Sequence, residues 1–278
     1  MPVELIETKS ETSLPVRLVA GDGLEAAGLS PLETAWARAN GFSGEAGRTL
    51  VVPGADGAIA GALFGTGKGE GTLALGALAR ALPEGEWYFA APPADAELAA
   101  LALVLGGYVF TRYGRKPGKA LRFALPQGAD AARVARLAGG VVLARDLVNT
   151  PAGDMGPQAL EEAVRALARR HEAAVSVVKG DELLAQDFPM IHAVGRASAE
   201  APRLIDMTWG GEDAPKVTLV GKGVCFDTGG LDIKPAAGML LMKKDMGGAA
   251  NVLGLASMIM AAGLKVRLRV SRQRCRPT

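Results

Sequence analysis

The chain has 278 residues, a length typical of about two domains at roughly 150 residues each. Hydrophobic residues make up 49% and charged residues 22%, which is the composition of a packed globular protein and excludes a disordered chain. Two cysteines and two histidines exclude a disulfide framework and a histidine-based zinc site.

The distribution of charged and apolar residues limits the classes of binding partner that are expected. The acidic start, MPVELIETKSETSLPV, lacks an apolar core, so we expect no signal peptide. No apolar run reaches the ~18 residues of a membrane helix, which favours a soluble cytoplasmic protein with no membrane partner. The net charge of +2 has its excess in the last twelve residues, which hold five arginines, while the rest is mildly acidic. We therefore expect no nucleic-acid partner.

The first part of the chain alternates predicted strands and helices. The patterns predict strands over residues 16–20, 49–52 and 87–91, and helices over 31–40, 73–82 and 94–105. This alternation predicts a smaller N-terminal α/β domain over residues 1–126.

The second part is predicted to be α/β as well. Helices are predicted over residues 130–149, 158–171, 181–186 and 248–262, and strands over 174–178, 204–209, 217–220 and 264–270. Residues 127–278 should therefore form a second α/β domain with a central mixed sheet between helices.

Charged residues cluster in one glycine-rich stretch, residues 217–250, VTLVGKGVCFDTGGLDIKPAAGMLLMKKDMGGAA. Lys222 and Asp227 follow a predicted strand, at the edge where open α/β sheets place their sites. Asp245 immediately precedes a predicted helix. Two carboxylates that converge repel each other unless a cation lies between them, and oxygen ligands favour Mg²⁺, Mn²⁺ or Zn²⁺.

Lysines in this stretch admit more than one interpretation. Lys222 could be an ion-pair partner of a carboxylate, or a neutral ligand if a metal lowers its pKa. Lys234 precedes Pro235 in a rigid loop, which suits a fixed positive charge. From the residues alone, the alternative of solvated loop charges with structural glycines stays open.

Other interpretations of single motifs and residues as sites are weaker. The stretch is not a phosphate-binding P-loop, because the order GxxxxGK[ST] is absent. Cys225 has no histidine near it in sequence and is better explained as a packing residue. His192, within IHAVG, is expected to be a core or turn residue, and Asn149 to mark the end of a helix before Pro151.

The same residues resemble a known family. VGKGVCFDTGGLDIKP followed by MKKDMGGAA resembles the metal-binding core of the leucyl aminopeptidases, and RDLVNTPAGDMGP at 145–157 resembles the start of their catalytic domain. The similarity runs from about residue 144 to 270, and the N-terminal part matches only loosely.

The resemblance implies a role for each matching residue. Lys222, Asp227 and Asp245 would be metal ligands, with Asp227 bridging two ions, Mn²⁺ or Zn²⁺. Lys234 would polarise the scissile carbonyl, and Met242 would line the pocket for the N-terminal side chain. The implied reaction is hydrolysis of the first peptide bond of peptides with a free N-terminus, in a family that forms homo-hexamers.

The end of the chain departs from the family pattern. The Asn-Thr-Asp-Ala-Glu-Gly-Arg segment that would supply further ligands does not occur, and after Val270 the sequence changes to SRQRCRPT. We therefore expect a C-terminally truncated copy that holds at most one metal ion, with residues 271–278 loosely packed. The alternative function is an inactive fold remnant acting as a binding or assembly subunit.

Overall fold

The computed structural model of the protein describes residues 3–21, 23–69, 71–226 and 235–271. Contacts between residues divide the chain into two units, Met1–Ala138 and Gly139–Thr278, and each unit has its own sheet. The α/β class predicted from the sequence is confirmed for both units.

The first unit is built from alternating strands and helices. Its strands are β1 (Val3–Ile6), β2 (Leu14–Ala20), β3 (Thr49–Pro53), β4 (Ile59–Gly67), β5 (Gly85–Phe89) and β6 (Leu121–Ala124). Its helices are α1 (Pro31–Ala39), α2 (Leu78–Ala81) and α3 (Ala96–Gly106), with a 3₁₀ helix at Thr72–Ala77 before α2.

These strands form one six-stranded sheet in the order β1-β6-β5-β2-β4-β3. Every neighbouring pair is parallel except β3 and β4, which are antiparallel. The core on this sheet contains Phe64, Trp87 and Phe123, all with no exposed surface. Burying side chains of this size is the main source of stability for the unit.

Helix α4 (Ala131–Asn149) begins in the first unit and continues into the second. The second unit then contains β7 (Ala174–Lys179), β8 (Arg203–Trp209), β9 (Lys216–Val220) and β10 (Arg267–Ser271). Its further helices are α5 (Pro157–His171), α6 (Glu182–Ala185), α7 (Pro189–Gly195), α8 (Ala236–Met239) and α9 (Gly247–Ala261), with 3₁₀ helices at Ala152–Asp154 and Met242–Met246.

The second sheet is mixed, as predicted, with the strand order β7-β8-β10-β9. Strand β10 pairs antiparallel with β8 and parallel with β9. Helices α5 and α9 contact each other and this sheet. Their shared core includes Leu167, Ala250 and Leu268, which have no exposed surface.

Two arginines of β10 belong to the fold rather than to a loose tail. Arg269 Nε donates to Asp206 on β8 at 2.8 Å, and Arg267 Nη1 donates to the Gly210 carbonyl at 2.6 Å. Hydrogen bonding to Asp206 and its charge raise the pKa of Arg269 above its ordinary value. Ser271 pairs with β8 and β9, so its expected place in a loosely packed tail is wrong. Residues 272–278 lie outside the described residues.

A buried ion pair joins α5 to the sheet. Glu161 Oε2 accepts from Arg203 Nη1 at 2.7 Å, and Glu161 Oε1 accepts from Arg165 Nε at 2.8 Å. The Arg203 side chain is only 3% exposed. Burial raises the pKa of Glu161, but hydrogen bonds and charge from the two arginines lower it further, so the net shift is downward.

In the described ranges of the chain, no helix has the length and apolar character needed to cross a bilayer.

Candidate metal centre

The site lies where the end of β9 meets the start of α9. A Cβ added to Gly221 would stand 2.5 Å from the Gly248 carbonyl oxygen, and one added to Gly248 would stand 2.8 Å from the backbone nitrogen of Lys222. The Ala249 N–H donates to the Lys222 carbonyl at 2.8 Å. Only glycine at both positions lets the two backbone segments come this close.

This close approach brings two predicted site residues together. Lys222 Nζ lies 3.1 Å from Asp245 Oδ2, and Lys244 Nζ lies 3.6 Å from Asp245 Oδ1. The Asp245 side chain is 13% exposed, whereas the Lys222 side chain is 56% exposed. The carboxylate is therefore largely enclosed, with amine groups on both oxygens.

The 3₁₀ helix Met242–Met246 carries Asp245, and both its ends are anchored. Met246 is 1% exposed and belongs to the core of the second unit. Lys243 Nζ donates to the carbonyl oxygen of Asn149, the last residue of α4, at 3.2 Å. Met242, the predicted pocket residue, is half-buried at the start of this helix.

Comparison with known proteins places the chain in a family. The model of the cytosol aminopeptidase family, catalytic domain, matches residues 142–275, and that of the M17 aminopeptidase N-terminal domain matches residues 14–126. The chain belongs to the M17 cytosol aminopeptidase family. The resemblance drawn from the sequence is confirmed, and the catalytic-domain match continues five residues past Val270.

Individual M17 relatives extend beyond this chain. The probable cytosol aminopeptidase of Leifsonia xyli subsp. xyli is 36% identical over 254 residues, which cover 84% of this chain and 51% of that protein. The crystal structure of the cytosol aminopeptidase from Coxiella burnetii is 41% identical, with a TM-score of 0.86, and the match covers 96% of this chain and 60% of that one. The chain thus spans about half the length of the curated relatives it matches.

A second solved structure that the chain resembles is the bottromycin maturation enzyme BotP in complex with Mn. It is 30% identical with a TM-score of 0.75, and the match covers 98% of this chain and 58% of that chain. The manganese in that complex is bound by BotP.

The donor set of the described site suits a divalent ion of the kind M17 aminopeptidases use. Two neighbouring donors of an octahedral ion, each about 2.1 Å from it and at roughly a right angle, are about 3 Å apart. The Lys222 nitrogen and the Asp245 oxygen are 3.1 Å apart, a separation that suits both the ion pair they form here and two ligands of one such ion. A mixed nitrogen and oxygen set fits Mn²⁺ or Zn²⁺, and the amine must lose its proton to serve as a ligand.

Two further predicted site residues, Asp227 and Lys234, lie outside the described residues, so their roles stay predictions. Within residues 3–21, 23–69, 71–226 and 235–271, no group of three or more His, Cys, Asp or Glu side chains is placed so that it could hold a metal ion. Lys222, as an amine donor, is not one of those residue types.

The two residues set aside as weaker site candidates have structural places. Cys225 is half-buried and packs against the core of the second unit, as expected of a packing residue. His192 lies on α7 and is half-buried, so it is neither a core nor a turn residue. Its Nε2 is 3.1 Å from Asp181 Oδ1.

Sequence reasoning did not predict the contact between Lys243 and Asn149. The two residues are 94 positions apart, and periodicity reports only neighbours along one element. The only signal was the placement of basic residues next to the predicted ligand Asp245 in MKKDMGGAA.

Proposed function

We propose that this chain carries part of the active site of a metal-dependent aminopeptidase, which hydrolyses the first peptide bond of peptides with a free N-terminus. The observation that carries the proposal is the pair formed by Lys222 and Asp245, 3.1 Å apart at the end of β9. It lies within the region that matches the M17 catalytic domain.

The proposed ligands of one divalent ion are Lys222, Asp227 and Asp245. The enclosed carboxylate of Asp245 and its distance to the amine support two of the three. Mn²⁺ or Zn²⁺ is the proposed ion, and the manganese complex of the related BotP favours Mn²⁺. When bound, such an ion lowers the pKa of a water ligand and stabilises negative charge on a carbonyl oxygen.

Three residues of the chain have further proposed roles in binding and catalysis. Asp245 supplies a negative charge next to Lys222, and this charge favours a cation at the site once the Lys222 amine has lost its proton. Lys234 is proposed to hold a positive charge next to the scissile carbonyl and so stabilise the developing oxyanion. Met242 is proposed to contact the N-terminal side chain of the substrate.

We propose the same domain division as above, with residues 1–126 as the N-terminal domain and 127–278 as the catalytic part. The two family matches, to residues 14–126 and 142–275, support it. A cytoplasmic location is proposed because the relatives are named cytosol aminopeptidases. A homo-hexamer is proposed only as what the family resemblance implies.

The proposed function is tested by titrating the 278-residue chain with Mn²⁺ and following free Mn²⁺ by electron paramagnetic resonance. We expect one bound ion, lost in Asp245→Ala and retained in Asp213→Ala, a matched change on the exposed loop between β8 and β9. Release of leucine from a leucyl peptide is measured in the same samples, and any release should disappear with Asp245→Ala. Equal Mn²⁺ binding by both variants would refute the proposed ligand set.

A further inference from the structure

Lys243 connects the 3₁₀ helix that carries Asp245 to the end of another helix. Its Nζ donates to the Asn149 carbonyl oxygen at 3.2 Å, and its side chain is half-buried, whereas neighbouring Lys244 is exposed. Asn149 is the last residue of α4, a helix of 19 residues.

The chemistry of a helix C-terminus explains why a lysine is suited to this contact. The last four carbonyl groups of a helix have no partner within the helix, and the aligned peptide dipoles give that end a partial negative charge. An ammonium group satisfies such a carbonyl with a charge-assisted hydrogen bond. The Lys243 contact therefore holds the Met242–Met246 helix against α4.

Asp245 lies between two anchors of different kinds. On one side Lys243 is held by the polar contact with Asn149, and on the other Met246 is buried in the core at 1% exposure. The two anchors lie within three residues of each other, so they leave the intervening backbone little freedom. The direction of the Asp245 carboxylate depends on both.

We propose that Lys243 is a positioning residue for the metal site: it touches neither ion nor substrate, but holds Asp245 in the direction from which it meets Lys222. The inference rests on the proposed function, because it takes Asp245 to be a metal ligand. Groups that orient a metal ligand from outside the coordination sphere typically change metal affinity by ~10–100-fold when removed.

A purely electrostatic role for Lys243 predicts the opposite result. A lysine near a cation site repels the ion, so removing its charge should strengthen metal binding. Lys244, whose Nζ is 3.6 Å from Asp245 Oδ1, is the matched control for this effect. Loss of an anchor weakens binding, whereas loss of a nearby charge strengthens it, so the sign of the change separates the two roles.

The experiment measures the Mn²⁺ dissociation constant of the full 278-residue chain and of Lys243→Met, Lys243→Arg and Lys244→Met by electron paramagnetic resonance. We expect Lys243→Met to bind about 10-fold more weakly, Lys243→Arg to recover most of the loss, and Lys244→Met to bind as tightly as the unmodified chain or more tightly. Circular dichroism establishes that each variant is folded. Should Lys243→Met fail to fold, Lys243→Gln replaces it with the same expected direction.

Each other outcome overturns the proposal. If Lys243→Met bound Mn²⁺ as tightly as the unmodified chain or more tightly, Lys243 would act only as a nearby charge. If Lys243→Arg bound Mn²⁺ as weakly as Lys243→Met, the hydrogen bond to Asn149 would be excluded as the cause. Absence of Mn²⁺ binding by the unmodified chain would refute the proposed function and this inference with it. That result is distinct from binding that is insensitive to Lys243, which refutes the inference alone.

Discussion

Gly221 and Gly248 are in such close contact that neither position has room for a side chain. A Cβ on Gly221 would stand 2.5 Å from the Gly248 carbonyl oxygen and 2.8 Å from the Ala249 Cα. Both obstructing groups are backbone, so no rotamer change relieves the overlap. This contact brings the end of β9 against the start of α9, and it thereby places Lys222 beside Asp245.

The first prediction concerns this contact. Gly221→Ala should destabilise the second unit by about 3 kcal/mol, because the added methyl group must push two backbone segments apart. Urea unfolding followed by circular dichroism measures the change. Gly211→Ala is the control, since a Cβ at that loop position meets nothing within 4 Å. Similar midpoints for the two variants would contradict the close approach.

The second prediction concerns the buried ion pair. Glu161→Gln removes the negative charge that compensates Arg203, whose side chain is 3% exposed. A buried charge without its partner is strongly unfavourable, so we expect a loss of about 3 kcal/mol in the free energy of unfolding.

Glu162→Gln is the matched control for that change. Glu162 is exposed, and its Oε1 accepts a hydrogen bond from the Gln158 side-chain amide at 3.2 Å. Surface substitutions of this kind alter stability by about 0.5 kcal/mol or less. Thermal melting of both variants checks the difference, and equal melting temperatures would show that the Arg203 charge is compensated by other groups.

Elements with clear end signals could be predicted closely from the sequence. Helix α1 begins at Pro31, as predicted, because Ser30 and Glu33 form reciprocal hydrogen bonds of 3.2 and 2.8 Å around its first turn. The end of α4 at Asn149 before Pro151 was likewise predicted correctly.

Strand β4 could not be predicted, because its sequence IAGALFGTG has the glycine content of a loop. It is nevertheless an inner strand of the sheet, between β2 and β3. A Cβ on Gly65 would stand 2.0 Å from the Glu45 carbonyl oxygen, so the glycine is required by a tertiary contact. Single-sequence patterns do not report contacts of this kind.

For the same reason, the positions of the side chains at the candidate site could be predicted only in part. Lys222 and Asp245 belong to one recognisable motif, and the structure brings them together at 3.1 Å. The Lys243 contact with Asn149 depends on how α4 ends relative to that motif, which is a property of the fold. Asp227 and Lys234 stay predictions of the motif alone.

A third prediction concerns pH. Hydrogen bonds from Ser10 and Ser13, with the charge of Arg122, lower the pKa of Glu86 from 4.5 to about 2. A lowered pKa means that the folded state favours the ionised carboxylate. The resulting stabilisation is complete above pH 4.5 and is lost as the pH falls towards 2.

Glu86→Gln tests this pH dependence. The variant should be less stable than the unmodified chain at pH 7, and the difference should shrink steadily as the pH falls from 4.5 towards 2. Urea unfolding at a series of pH values measures it. A difference that stays constant over that range would mean that the Glu86 charge does not contribute to stability.

The last prediction tests the residues that the motif assigns and the described structure does not cover. A chimera joins residues 1–271 of this chain to the part of the Coxiella burnetii relative that lies beyond the aligned region. We expect it to release leucine from a leucyl peptide in the presence of Mn²⁺.

In this chimera Lys234→Ala should lower kcat by ~10²–10³, because one group that stabilises a developing oxyanion is removed. Asp227→Ala should instead weaken Mn²⁺ binding together with the rate, and Lys216→Ala, an exposed lysine at the start of β9, should change neither. The two expected patterns differ because a ligand acts on the ion and an electrophile acts on the transition state. Full activity of the Lys234→Ala chimera would show that Lys234 has no role in the reaction. The assignment of Asp227 as a ligand would then depend only on the Mn²⁺ binding of the Asp227→Ala chimera.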